Sequence, residues 1–194
     1  MCGRAVPYRQ LMRVFSEVEN ACAGSSQISS VAATPIATTV IAIDPQPAKR
    51  DLAADFGAGD LIDPQQEDVL ARVRELTGGR GVDYAFECVG SGALAEAAYR
   101  AIRRGGRAVV VGVARPTDTT SFKPMTMVFE EKTLQGSYFG SCVPRVDFPR
   151  MLGLYAGGQL MLDELITRRY KVEEAPQAFA DLESGRNARG VIMF

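Results

Sequence analysis

The sequence predicts an α/β fold: a doubly wound parallel sheet followed by a C-terminal α+β return segment. Three observations carry that expectation. From residue 38 onward, short β-rich runs alternate with helical patterns, the rhythm of βαβ units in a parallel sheet. One run, "AVVVGVA" at 108–114, is nearly continuous in apolar residues, as in strands buried on both faces of such a sheet. After about residue 140 the rhythm stops, and the remaining elements no longer follow it.

Taken in order, "YRQLMRVFSEVEN" (8–20) sets Leu11, Val14, Phe15 and Val18 at i, i+3, i+4 and i+7, which predicts an amphipathic helix. "ACAGSSQISSVAATP" (21–35) is rich in small residues and closes on Pro35. "TTVIAID" (38–44) is the first β-branched run. "AKRDLAADFGA" follows as a helix with Leu52 and Phe56 one turn apart and Gly57 as its stop. "DLIDP" (60–64) is a short strand. "QQEDVLARVRELTGG" turns Val69, Leu70, Val73 and Leu76 to one helical face. "GVDYAFECVG" (81–90) reads as a strand, and "SGALAEAAYRAIRRGG" as a helix facing inward through Leu94, Ala98 and Ile102. "GRAVVVGVA" (106–114) and "KTLQGSYFG" (132–140) complete the strands. In the tail, "DFPRMLGLYAGGQL" and "EEAPQAFADLESG" are helical, the latter through Ala175, Ala178, Phe179 and Leu182; "ITRRYK" and "RGVIMF" are extended. Three parts are expected: an atypical segment 1–37, a dinucleotide-binding, Rossmann-like domain 38–140, and the return segment 141–194.

Composition narrows the chemistry. With 46% hydrophobic residues, 23% charged and a formal net charge of −1, the chain is globular and carries no basic footprint for nucleic acid. No apolar run is long enough to cross a bilayer, and the opening "MCGRAVPYRQ" lacks the apolar centre of a signal peptide. A soluble, cytoplasmic protein is expected. The four cysteines, Cys2, Cys22, Cys88 and Cys142, form no CxxC pair, which argues against a disulfide framework or zinc knuckle. There is no histidine. The commonest metal ligand and the commonest neutral-pH base are thus absent.

Asp44 is the most informative residue. At the carboxyl end of a second strand in a dinucleotide fold, an acid accepts hydrogen bonds from the adenosine ribose, and its charge repels a 2′-phosphate, favouring NAD over NADP. Lys49 lies one helical turn further on. The alternative is that Asp44 opens a turn with Pro45 or caps the next helix.

"TTVIAIDPQPAKRDLAADFGAGDLIDP", "TGGRGVDYAFECVG", "GGRAVVVGVA", "FEEKTLQGSYFGSCVPR" and "LDELITRRYKVEEAPQAFADLESGRNARGVIMF" together resemble the zinc-type medium-chain alcohol dehydrogenases, above all their formaldehyde-handling bacterial members. The likeness runs from about residue 37 to the C-terminus and covers the family's cofactor-binding half. It implies that Asp44 and Lys49 hold the adenosine ribose. Val89, Val111, Gly112 and Val113 would line the groove from adenine to nicotinamide, and Arg189 would reach the pyrophosphate. The strand at 132–139 would lie at a sheet edge through which two subunits pair, as a homodimer or heterodimer. The residues themselves leave alternatives: Val111 to Val113 as core, Gly112 as a tight strand exit, Arg189 as a solvated arginine, Cys88 as a small buried hydrophobe, Glu87 as a paired or capping acid.

Two departures from the family bear on activity. The resemblance implies a further, N-terminal catalytic half bearing the zinc sites; this chain offers no catalytic residue and no metal ligand for that chemistry. The GxGxxG turn, roughly twenty residues ahead of the acid, falls on Asn20, Cys22 and Ser25. Losing its two or three charge-assisted hydrogen bonds costs about 3–9 kcal/mol, against about 8 kcal/mol for a whole micromolar complex. The expected function is therefore the NAD-binding part of an alcohol dehydrogenase-like oxidoreductase, inactive alone. The alternatives are a non-catalytic binding or dimerisation module and a zinc-free, quinone-reductase-like relative. Phe148, Met151, Leu152, Phe179 and Leu182, which in the family pack on the catalytic half, are expected to face water, at about 1.5–3 kcal/mol each.

Overall fold

A computed structural model describes residues 12–16 and 39–194 of the chain. It separates into two compact units, Met1–Ser141 and Cys142–Phe194.

The first unit is built on a six-stranded sheet. In chain order its strands are β1 (Met12–Ser16), β2 (Thr39–Ile43), β3 (Asp60–Ile62), β4 (Val82–Glu87), β5 (Ile102–Val110) and β6 (Thr133–Gly136), arranged β3-β2-β1-β4-β5-β6. The helices are α1 (Pro47–Asp55), α2 (Val69–Leu76), α3 (Gly92–Ala101) and α4 (Pro124–Glu130). The α/β architecture is the expected one. β2 pairs with β3 in parallel, as do β4 with β5 and β5 with β6. The run expected at 132–140 shortens to Thr133–Gly136 and does form a sheet edge.

The expected helix over 8–20 is overturned. Met12–Ser16 is a strand, central in the sheet and antiparallel to both neighbours: Met12 lies opposite Ile43 and Ser16 opposite Thr39, while Arg13 lies opposite Phe86 and Phe15 opposite Tyr84. The physical reason is demand for partners. β2 and β4 present facing rows of N–H and C=O groups that must pair when buried, and this tertiary demand overrides an apolar spacing that also suits a helix. The stretch 20–26, where the glycine turn is expected, lies outside the described residues.

Because β1 opposes both β2 and β4, those two strands point the same way. The carboxyl ends of β2 to β6 therefore share one edge of the sheet. Helices cover the faces as their patterns dictate. Asp68 caps α2 by accepting a hydrogen bond from the Ala71 N–H at 2.8 Å, and Val73 of that helix is fully buried. The core gathers Ile41, Ile43, Ile62, Val82, Ala98 and Ile102. Ile62 and Ile102, both sealed from solvent, are each worth about 1.5–3 kcal/mol on burial. Two details differ from expectation. Ile102 opens β5 instead of closing α3, with Arg103 to Gly106 looping out opposite Asp83, where Arg103 pairs with the Asp83 carboxylate. A seven-residue helix, α4, forms between the runs at 106–114 and 132–140, where no element was expected, started by Pro124 and stopped by Glu131 in the left-handed conformation (φ 52°).

The second unit holds α5 (Pro144–Ala156), β7 (Arg168–Lys171), α6 (Ala175–Glu183) and β8 (Gly190–Met193), with β7 and β8 parallel. Its organising group is a carboxylate. Asp181 is fully buried and accepts hydrogen bonds from Tyr170 Oη, Gln177 Nε2 and Arg168 Nη1, each at 2.8 Å, with Arg186 Nη1 at 3.3 Å. Asn187 donates to the same Tyr170 hydroxyl. The apolar positions flanking Asp181 on α6, Phe179 and Leu182, are exposed, as are Phe148, Met151 and Leu152 on α5, in line with expectation.

The Tyr170 hydroxyl above all, helped by Gln177 and the two arginines, holds the Asp181 carboxyl below the usual carboxylate range. A lowered folded-state value means that the native unit binds its proton less readily than the unfolded chain. Its stabilisation is thus full above the ordinary carboxylate pKa and fades as pH falls through the lowered one. Acidification is expected to open β7 and β8 before the core of the first unit, and Asp181→Asn to reproduce that opening at neutral pH. Amide exchange followed by mass spectrometry checks both; equal protection of β7 in mutant and parent would refute the assignment.

Candidate functional site at the carboxyl edge of the sheet

Asp44 follows β2 directly, at the shared carboxyl edge. Its N–H donates to the Ile62 carbonyl at 3.3 Å, extending the β2–β3 ladder by one residue. Its Oδ1 accepts the Gln46 N–H at 2.8 Å, closing a turn over Pro45. So the turn-forming alternative is realised, but with one oxygen only. Oδ2 is sealed from solvent and has no hydrogen-bond partner among the described residues; the same holds for Gln46 Nε2.

The electrostatics follow from burial. Desolvation raises the Asp44 carboxyl above its ordinary value, and the Gln46 N–H, Lys49 and Arg50 counter it only in part. Lys49, read from the sequence, thus acts on Asp44 through its charge. Arg50, not singled out from the sequence, does more. Its Nη1 donates to the Asp44 carbonyl at 2.6 Å, and its Nη2 pairs with Asp63 Oδ2 at 3.0 Å, tying the end of β2 to the end of β3. No local signal marks it: Arg50 lies within α1, seven residues beyond the end of β2, and only the fold brings it to Asp63, which directly follows β3.

Glu87 holds the other side of the edge. Buried at the end of β4, its Oε1 accepts the N–H groups of Val89 (2.7 Å) and Gly90 (2.8 Å). Its carbonyl accepts those of Val111 (2.8 Å) and Gly112 (3.0 Å) from the end of β5. The paired, capping reading of Glu87 is the one found, although its Oε2 lacks a partner among the described residues. Gly112 is a tight exit: a Cβ there would stand 2.0 Å from the Gly90 nitrogen, and a Cβ on Gly90 would meet the Val113 carbonyl at 2.3 Å. The core reading of Val111 and Val113 fails, since they are 38% and 84% exposed. Val89 is half-buried.

Asp44, Lys49, Val89, Val111, Gly112 and Val113 thus belong to three segments at the shared carboxyl edge, those that follow β2, β4 and β5, with β1 standing between the first and the other two. Arg189 belongs to the second unit, exposed just before β8. Its carbonyl accepts the Thr167 N–H at 3.0 Å.

The fit to a dinucleotide divides. At the ribose end, a carboxylate oxygen and an amide nitrogen stand without partners, which suits a sugar diol. At the pyrophosphate end, nothing among the described residues provides that fit. β1 runs backwards, so its last residue, Ser16, leaves the sheet at the edge opposite Asp44 and cannot launch a phosphate-binding turn there. For zinc, no cluster of three or more His, Cys, Asp or Glu among the described residues is placed to hold a metal.

A raised folded-state value means that ionised Asp44 works against the fold, with its contribution to stability falling as pH rises. Asp44→Asn is expected to melt higher than the parent near neutrality, and the gap to close on acidification, when Asp44 takes up its proton. Melts across a pH series test this; a gap independent of pH would mean the carboxylate is well solvated. Gly112→Ala is expected to cost about 1–3 kcal/mol by overpacking, read as a lower urea midpoint, whereas the open position Gly136 tolerates alanine.

Comparison with known proteins agrees with this architecture. Residues 30–157 match the zinc-binding dehydrogenase family model. The NDMA-dependent alcohol dehydrogenase of Amycolatopsis methanolica is 39% identical over 160 residues, 81% of this chain and 43% of that protein. The alcohol dehydrogenase zinc-binding domain protein of Burkholderia ambifaria superposes with a TM-score of 0.76 at 32% identity, over 81% of this chain and 42% of that one. A zinc-binding dehydrogenase of Sinorhizobium meliloti, solved with NADP bound, gives 0.67 at 30% identity, over 80% and 44%. The chain spans about two fifths of the length of these relatives. Match and fold together place it in the zinc-binding dehydrogenase family, in the part of these proteins built as a Rossmann-like sheet.

Proposed function

We propose that this chain is the cofactor-binding part of an NAD-linked alcohol dehydrogenase and that its carboxyl edge holds the adenosine ribose. The observation that carries the proposal is the pair of buried, unpartnered atoms at the end of β2, Asp44 Oδ2 and Gln46 Nε2. Leaving such groups unsatisfied costs free energy that a ribose 2′,3′-diol would recover. The Asp44 charge disfavours a 2′-phosphate, so NAD is preferred to NADP. Val89, Gly112 and the exposed Val111 and Val113 would form the wall along which the nucleotide lies, and Lys49 would face the sugar. NAD, when bound, supplies the hydride-accepting ring. This chain's residues would supply orientation and ribose recognition, and none of the described ones is clustered to hold a metal.

The reversed β1 favours a second reading, in which the chain is a non-catalytic partner that joins another subunit. The exposed edge β6, with Thr133, Gln135 and Gly136 open to solvent, would extend the sheet across a homodimer or heterodimer. Sedimentation equilibrium separates a dimer from a monomer.

The protein is expected to bind adenosine monophosphate weakly, to retain no stoichiometric zinc, and to form no NADH from alcohols. Asp44→Ala should weaken the nucleotide about ten- to hundredfold, the equivalent of a hydrogen bond to a charged group. Calorimetric titration and metal analysis check these outcomes; unchanged affinity in Asp44→Ala removes the ribose assignment, and zinc with steady turnover removes the division of labour.

A further inference from the structure

The opposite, amino-terminal edge of the sheet carries a basic concavity that the family reading leaves without a role. It consists of two adjoining cavities, each of about 460 Å³, which share Arg74, Arg100, Glu130 and Lys132. Such a volume is typical of small-molecule sites. Seven lysines and arginines line the pair against two glutamates, in a chain whose net charge is −1.

Helix termini explain part of this. Arg74 and Arg100 stand in the last turns of α2 and α3, where cations are favoured. They do not explain Arg80, Arg103, Arg104 and Lys132, which precede or open strands. Internal pairing explains another part: Arg103 with Asp83, Lys132 with Glu130 at 2.8 Å, and Arg100 with Glu96 at the long distance of 4.0 Å. Arg104 Nη2 donates to the Phe129 carbonyl at 3.0 Å, so what neither account covers is the excess of positive over negative side chains lining the pair.

A second, independent feature points to a ligand. Tyr99, only 3% exposed, forms part of the wall, and its hydroxyl is buried with no hydrogen-bond partner among the described residues. A tyrosine so enclosed usually finds a partner. Above its ring stands Lys132, with Nζ 5.5 Å from the centroid, and beside it Phe122, at 5.6 Å between centroids. Burial first, and the Glu130 charge second, push the Tyr99 hydroxyl above its ordinary pKa, so it stays a donor at neutral pH. The wall therefore combines guanidinium forks, a lysine paired with Glu130, one uncommitted O–H donor and an aromatic face.

We propose that this concavity, bounded by α2, α3 and α4 at the amino edge of the sheet, binds a small molecule carrying a pyrophosphate or two neighbouring phosphates, with Arg74, Arg100 and Lys132 on the anion and the Tyr99 hydroxyl completing its coordination. Guanidinium groups grip phosphate oxygens two at a time, which explains why arginine outnumbers lysine. The site is separate from the ribose site and lies on the other edge of the sheet.

Inorganic pyrophosphate titrated calorimetrically into the full chain at low salt is the test. Saturable binding at one site is expected. Arg74→Ala with Arg100→Ala, both at solvent-exposed positions, should weaken it about tenfold or more, as expected for charge-assisted contacts. Tyr99→Phe should weaken it while leaving the melting temperature equal or higher, since the lost hydroxyl had no partner. Asp44→Ala should leave it unchanged, so failure of the ribose assignment and failure of this one are distinguishable. Absence of saturation at millimolar pyrophosphate overturns the proposal. So does binding indifferent to both Tyr99→Phe and the arginine pair, or an oligonucleotide complex that pyrophosphate does not displace.

Discussion

A sheet cannot carry a hole at its centre. β2 and β4 each offer a row of backbone donors and acceptors to the space between them, and every such group buried without a partner costs about 1–3 kcal/mol. The five residues Met12–Ser16 close that space, pairing with five residues of β2 and three of β4. All else in the first unit is positioned by this closure. It brings β2 and β4 into the same direction and collects their ends, with Asp44 and Glu87, along one edge.

The direction in which the gap is closed carries a chemical cost. A parallel strand would leave the sheet beside Asp44 and could turn there over a pyrophosphate; an antiparallel one leaves at the far edge. The result is an edge where Asp44 and Gln46 carry buried, unpartnered polar atoms and where, among the described residues, β1 does not turn. Two buried carboxylates, each with one oxygen engaged by backbone N–H groups and one oxygen idle, stand at the ends of β2 and β4. The far edge has the opposite character, crowded with arginine.

Much of this was legible in the sequence, because burial writes itself into residue choice. The β-branched run before Asp44, the apolar face of α2, and the strand–helix alternation to β6 reflect local periodicities that the structure keeps. What was illegible depends on partners distant in the chain. Leu11, Val14, Phe15 and Val18 satisfy a helical spacing, and nothing local tells that the neighbours of this stretch would be two strands lacking a centre. Ile102 follows a helical register but is claimed by Val82 across the sheet. Arg50 looks like one more cation on α1 until the ends of β2 and β3 converge on it. On α6, apolar spacing marked Phe179 and Leu182, whereas the group that organises the second unit is the acid between them, Asp181.

The contact between Gly90 and Gly112 has a mechanical meaning. With no side chain on either residue, the segments beyond β4 and β5 touch main chain to main chain, and packed backbone, unlike a long side chain, has no soft rotor to absorb a push. Glu87 clasps both from below. The two segments are thereby geared: whatever nudges the valines after β5 also drives the turn after β4, so this rim of the groove shifts as one piece.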